Sequence, residues 1–145
     1  MKDTNNLLEY NQWSCGEYKN SQAQNMAWGV KLYKTNEYSS IGEISIKSVY
    51  TSPTNGVRFN YNSQLSDKNV TTKLALKTKS KVWVTLREMD NNNEQINNTV
   101  SSFQGNGDIE LVLTSSNNND YFQIQVYGIP EDESIFIDNV RLYSS

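Results

Sequence analysis

The sequence predicts an all-β fold: a two-sheet antiparallel β-sandwich. Three observations predict it. Apolar residues recur with a period of two, and no stretch shows a convincing helical period. Clusters of Gly, Pro, Asn, Asp and Ser break that alternation at short intervals. Hydrophobic residues make up only 36% of the chain, which suits a thin, two-layered core. At 145 residues the chain has the size of one ordinary domain, read here as a single unit over 1–145.

The elements follow in order. Residues 14–40 are the least patterned and read as long loops with one or two short strands. Ile44 and Ile46 then alternate with Glu43, Ser45 and Lys47, and Tyr50 belongs to a strand. Phe59 and Tyr61 alternate with Arg58, Asn60 and Asn62; Leu74 and Leu76 with Lys73, Ala75 and Lys77. Val82, Val84 and Leu86 alternate with Trp83, Thr85 and Arg87. Ile109, Leu111 and Leu113 form a further strand, and Phe122, Ile124 and Val126 another, the latter alternating with Gln123, Gln125 and Tyr127. Each is a half-buried strand with one wet face. Turns are expected at Ser52 to Gly56, Ser66 to Asn69, Asp90 to Asn93, Gly105 to Asp108 and Ser115 to Asp120. There is no internal repeat.

Composition excludes several function classes. A net charge of −3 argues against nucleic acid, which calls for a basic stripe. No apolar run approaches the length of a membrane span, and the N-terminus shows no apolar core of a signal peptide. Met1-Lys2-Asp3 reads as an expression start, and the segment is expected to be one module cut from a larger protein. The single cysteine, Cys15, rules out an internal disulfide, and the absence of histidine removes Ser-His and Cys-His pairs and the commonest zinc ligand. Asn91 to Asn93 and Asn117 to Asn119 read as loops of an Asn-biased chain. Asn69-Val70-Thr71 and Asn97-Asn98-Thr99 match the weak glycosylation pattern.

The wet faces carry the chemistry. They present Arg58, Asn60 and Asn62; Lys73 and Lys77; Trp83, Thr85 and Arg87; and Gln123, Gln125 and Tyr127. Sugars stack their C–H faces on aromatic rings and offer hydroxyls to planar partners such as Arg, Asn and Gln. The candidate carbohydrate-binding residues are therefore Trp83, Arg87, Gln123, Gln125, Tyr127, Arg58 and Asn60. An exposed Trp83 is the sharpest item; its other reading is burial under a loop. Trp13 reads as core. Trp28, Tyr33 and Tyr38 either edge a cleft or pack like staples.

An enzyme needs placed acids, and most acids here sit in turns. Glu88 is the one acid near the proposed face, just beyond Arg87, and Tyr127 beside Arg87 is a conceivable lyase base. With no acid pair on the floor of the face, the chain is read as non-catalytic.

The closing run, Ile135-Phe136-Ile137-Asp138-Asn139-Val140-Arg141-Leu142-Tyr143, places one acid inside an apolar strand. Asn6-Leu7-Leu8 opens the chain, with Trp13 and Trp28 after it; Gly42-Glu43-Ile44-Ser45-Ile46-Lys47 and Val82-Trp83-Val84-Thr85-Leu86 follow in order. Together these motifs resemble jelly-roll carbohydrate-binding modules of the galactose-binding-domain-like type, over nearly the whole length. The resemblance implies a jelly roll, a glycan ligand, neighbouring domains in a parent protein and an extracellular or cell-surface location. It also implies a structural calcium ion far from the sugar site, held by Asp138, backbone carbonyls and an N-terminal acid. Here Ser14 stands where that acid is expected, with Glu9 and Glu17 off register and Glu43 another possible donor. Asp138 otherwise caps backbone N–H groups at the closing edge. The rival functions are a structural or adhesive spacer of a surface or phage-tail protein and, less favoured, a small glycan-cleaving enzyme.

Overall fold

A computed structural model describes residues 5–8, 27–38, 45–131 and 133–145. Among them every regular element is a strand: β1 (Ala27–Trp28), β2 (Val30–Thr35), β3 (Ser45–Tyr50), β4 (Gly56–Tyr61), β5 (Asn69–Met89), β6 (Gln95–Thr114), β7 (Tyr121–Tyr127) and β8 (Ser134–Ser144). All pairings are antiparallel. Among the described residues no helix is long and apolar enough to cross a membrane. Trp13, Ser14, Cys15, Glu9, Glu17, Glu43 and Ile44 lie outside the described residues.

Strand β5 serves two sheets. From Val70 to Lys77 it pairs with β8, and from Trp83 to Met89 it pairs with β7. Between these halves, Lys79, Ser80 and Lys81 stand opposite Gln104 alone, where the ladder to β6 jumps from Thr78/Gly105 to Val82/Phe103. The bulge bends the strand. It is closed locally, because Thr78 Oγ1 donates to the Ser80 carbonyl at 2.7 Å and Gln104 Nε2 to the Lys79 carbonyl at 2.8 Å. β6 follows the bend at Gly105, whose φ of +111° lies where side chains are disfavoured. Its two halves then face each other: Thr99 Oγ1 donates to the Val112 carbonyl at 2.8 Å and Asn97 Nδ2 to the Thr114 carbonyl at 3.2 Å. One sheet is thus β1-β4-β7-β5-β6 and the other β2-β3-β8-β5-β6, packed as a sandwich.

Two sequence expectations are corrected by this bend. Leu74/Leu76 and Val82/Val84/Leu86 lie on one continuous strand, and the turn expected at Gly105 to Asp108 is the corner of β6. The chain also changes sheets at Gly29 (φ +65°), between β1, which pairs β4, and β2, which pairs β3.

The inward sets meet in one core. Val57, Phe59, Val82, Val84, Leu86, Phe122, Ile124 and Val126 come from the first sheet; Ile46, Val70, Leu74, Leu76, Ile109, Leu111, Leu113, Ile135, Ile137, Val140 and Leu142 come from the second. In β8 the alternation breaks after Asp138. Asn139 takes φ +51°, and the ladder to β5 jumps from Ala75/Asp138 to Lys73/Arg141. This bulge returns Val140 and Leu142 to the core while leaving Asp138 on the outer side of its sheet, where it is nevertheless wholly buried.

Leu86 is fully buried in the first sheet. Leu86→Ala is expected to cost about 2–5 kcal/mol, read as a fall in Tm of roughly 5–15 °C in a thermal melt.

Candidate functional site

The ladders of β4, β7, β5 and β6 align the outward residues in three cross-strand rows. Gly56, Tyr127, Trp83 and Ser102 form the first; Arg58, Gln125, Thr85 and Val100 the second; Asn60, Gln123, Arg87 and Asn98 the third. All seven residues named from sequence, Trp83, Arg87, Gln123, Gln125, Tyr127, Arg58 and Asn60, therefore share one face. Lys73 and Lys77 do not. They lie on the β8 half of β5, on the second sheet, where Lys73 pairs with Glu110 at 3.4 Å and Lys77 sits over the Phe136 ring.

Trp28 completes the first row. It pairs with Gly56, and a Cβ built on Gly56 would lie 2.3 Å from Trp28 Cζ2. Val57 and Phe59 point into the core, so that Cβ points outward; the indole lies in the space that the missing side chain leaves. The Arg58 guanidinium stacks on the same ring at 4.8 Å. The row thus reads Trp28 over Gly56, then Tyr127, then Trp83. Trp83 is 41% exposed. Its indole edge sits where a Cβ on Gly128 (φ +71°) would come within 3.1 Å. Sequence reasoning left Trp28 undecided because β1 is two residues long and shows no alternation. The available signal was Gly56, a glycine at a position where the period of β4 calls for an outward side chain.

The end of the site is tied down by Asn55. Its Nδ2 donates to the Ile129 carbonyl at 2.9 Å and its Oδ1 accepts the Ile129 N–H at 2.8 Å, while Nδ2 also reaches the Ser52 carbonyl at 2.8 Å. This buried amide fixes the start of β4 against the end of β7, and so sets Trp28 beside Tyr127 and Trp83.

The polar rows form one network. Arg87 donates from Nη1 to Gln123 Oε1 at 2.6 Å and from Nε to Gln95 Oε1 at 2.8 Å. Gln123 Nε2 donates to Asn60 Oδ1 at 2.9 Å, and Gln125 Nε2 to Gln123 Oε1 at 2.7 Å. Flat rings at one end and fixed amide and guanidinium groups beside them match the two needs of a sugar: a C–H stacking surface and planar hydrogen-bonding partners.

Glu88, expected near this face, points the other way. It is 1% exposed on the core side, and its Oε2 accepts from Ser116 N at 2.8 Å, Ser116 Oγ at 3.1 Å and Asn119 Nδ2 at 2.8 Å. The strand period dictates this, since Arg87 faces outward and its neighbour must face in. The two Asn clusters meet at this loop end: Asn91, Asn117, Asn118 and Asn119 line one polar cleft with Gln64, Asp90 and Asp120. Tyr33 and Tyr38 belong to the second sheet's side. Tyr33 is in register with Lys47, and the Tyr38 ring lies 6.0 Å from that of Phe136. Burial, and then the charges of Asp138 and Asp108, hold the Tyr38 hydroxyl above its ordinary pKa. Asp138 is on this opposite sheet, away from the three rows. Among the described residues no group of three His, Cys, Asp or Glu could hold a metal ion.

No family model matches the chain, and no curated protein is similar to it in sequence. Solved structures do match. The chain is similar to part of the enzymatically active domain of bacteriophage CBA120 tailspike protein 4, at 11% identity and a TM-score of 0.76, over 97% of this chain and 22% of that one. It is similar to the CBM22-1 xylan-binding domain of Paenibacillus barcinonensis Xyn10C, at 14% identity and a TM-score of 0.59, over 80% of this chain and 81% of that one. It is similar to TmCBM61, solved with β-1,4-galactotriose, at 14% identity and a TM-score of 0.59, over 97% and 99% of the two chains. These likenesses show the fold: the chain is a β-sandwich built like these carbohydrate-binding modules. It spans about a fifth of the tailspike chain.

Gly56→Leu is expected to lift the Trp28 indole out of its seat. Acrylamide quenching of Trp fluorescence should rise, while the far-UV spectrum of the sandwich is unchanged.

Proposed function

We propose that this chain is a non-catalytic carbohydrate-binding module whose ligand lies on the face formed by β4, β7 and β5. The observation that carries this reading is the aromatic row of Trp28, Tyr127 and Trp83 beside rows of fixed amide and guanidinium groups. An ordinary solvated strand face would be richer in Thr, Lys and Glu. The face is shallow, so affinity is modest: a hydrated ligand buries little area on it. Xylan and β-1,4-galactotriose are named for two of the similar structures, which supports a polysaccharide as the class of ligand.

The role is targeting rather than cleavage. The acid next to Arg87 is turned into the core, and Arg87 and Tyr127 stand two rows apart. The module would hold glycan for neighbouring domains of a longer chain, outside the cell or on its surface, without nucleic acid or membrane insertion. A second reading, a structural or adhesive sandwich in a phage-tail or surface protein, is favoured by the likeness to part of a tailspike. A glycan array separates the two. A carbohydrate-binding module binds at least one polysaccharide, and Trp83→Ala weakens that binding about tenfold or more, equivalent to roughly 1.4 kcal/mol. A spacer binds none.

Calcium enters this proposal with Asp138 as its carboxylate ligand. Its support is the complete burial of Asp138 in β8, together with the family resemblance. The described residues supply this one acid of the implied set. If calcium is held at about a hundred times its Kd, it stabilises by about 2.7 kcal/mol. Chelation with EDTA should then lower Tm by roughly 5–10 °C, and Asp138→Asn should remove the response. An unchanged melt in EDTA would reject the metal.

A further inference from the structure

We infer that the ligand of this face is an anionic glycan, one that carries carboxylate or sulfate groups on more than one sugar. The inference rests on the carbohydrate reading above and narrows it. Its basis is how charge is distributed between the two sheets.

The chain is acidic overall, with 16 Asp and Glu against 13 Lys and Arg. Among the described residues the ion pairs are Lys47–Glu37, Lys73–Glu110 and Arg141–Asp108. All three belong to the second sheet and the turn beside it. The cations of the first sheet are treated differently. Arg87 is held by two neutral amides, Gln123 and Gln95. Arg58 is held by stacking on Trp28, and its buried Nε has no hydrogen-bond partner among the described residues. Lys81 lies over the Trp83 ring at 5.9 Å. No Asp or Glu stands in any of the three outward rows. In a chain with an excess of acids, these three cations on one face have no carboxylate ion pair among the described residues.

A neutral sugar does not need that arrangement, because amides and hydroxyls satisfy its hydroxyl groups without a charge. An oxyanion does. Charge-assisted hydrogen bonds are roughly twice as strong as neutral ones, and guanidinium matches a planar carboxylate in two parallel bonds. Among the described residues Arg87 uses Nε and one Nη1 donor on amides, and Nη2 makes no hydrogen bond. The two guanidinium groups are also kept apart. Arg58 is drawn toward β1 by Trp28, and Arg87 toward Gln95 at the other edge. Their Cα atoms are roughly 12 Å apart, from two strand spacings and two residues of rise. One acidic group cannot occupy both places, so the match is to a chain with repeated charge.

The test uses matched pairs titrated against the whole chain: an oligogalacturonate and its carboxyl-reduced form, an alginate oligosaccharide and its carboxyl-reduced form, and a sulfated galactan oligosaccharide and its desulfated form. The expected result is that the charged member of at least one pair binds about tenfold or more tighter than its neutral partner. That ratio should shrink several-fold between about 0.05 and 0.5 M salt, because the groups lie near solvent. Arg87→Gln and Arg58→Gln should bring the ratio toward one, and Arg87→Lys should retain part of it; thermal melts confirm that each variant folds. Tighter binding by the sulfated member alone assigns sulfate as the anion, and by the uronates alone carboxylate. Neutral glycans bound as tightly as charged ones would overturn the inference while leaving the carbohydrate face intact. No binding by any charged or neutral glycan, here and on the array, would remove the carbohydrate reading itself.

Discussion

The in-register ladder of β4, β7 and β5 is the constraint on which the rest depends. The side-chain period of a strand is two, so a slip of one residue would turn Val84 and Leu86 outward and Trp83, Thr85 and Arg87 into the core. Two buried polar clamps stand at the ends of this ladder. At one end Asn55 bonds both the N–H and the carbonyl of Ile129, joining the start of β4 to the end of β7. At the other, Glu88 on β5 takes the Ser116 and Asn119 donors, and Asn119 in turn bonds the backbone of Leu65. Such groups are costly if the strands slide, because each would be left buried without its partner. The apolar core drives collapse, and these clamps select the register in which it collapses.

A fixed register has a consequence for binding. The polar side chains of the face are ordered before any ligand arrives. Gln123 is 4% exposed although it points outward, because Arg87, Gln125 and Asn60 bond it from three sides. Trp28 is held from below by the gap at Gly56 and from above by Arg58. A ligand meeting such a surface does not have to order it, which reduces the entropy lost on association.

Much of this was legible in the sequence. The alternation at Phe59, Val82 to Leu86 and Phe122 to Val126 fixed which residues face out, and the seven face residues named from it do share one surface. What local pattern could not convey is continuity. Leu74 and Val82 lie on one strand because three residues bulge against Gln104, and a bulge has no periodic signature. Gly105 and Gly107 carry turn chemistry, yet here they bend a strand between sheets; turn residues mark a change of direction, not its size. Trp28 was illegible for another reason. Its place is set by an absence, the missing Cβ of Gly56, and by the crossing at Gly29, neither of which can be seen without the partner strand. Asp138 looked anomalous because an acid interrupts an apolar run. Asn139 in the left-handed region resolves it: the bulge resets the period, so the acid occupies an outer position that neighbouring groups then cover.

The two outer faces come from the same alternation and differ in how they finish it. On the second sheet, Tyr33, Lys47, Phe136 and Lys77 form a row in which both lysines lie 5.9 Å from the Phe136 ring, and Lys47 also meets Glu37. That surface satisfies itself. On the first sheet three aromatic residues share one row, with Trp83 exposed, and the cations are oriented by neutral amides and by rings. Orienting a guanidinium with amides costs side-chain freedom, and the exposed Arg87–Gln95 bond returns little because it replaces one to water. A sandwich under selection for packing alone has no use for that expense on one face only. The asymmetry is intelligible if the first sheet's surface is completed by something outside the chain, with flat C–H faces for the rings and oxygen atoms for the donors.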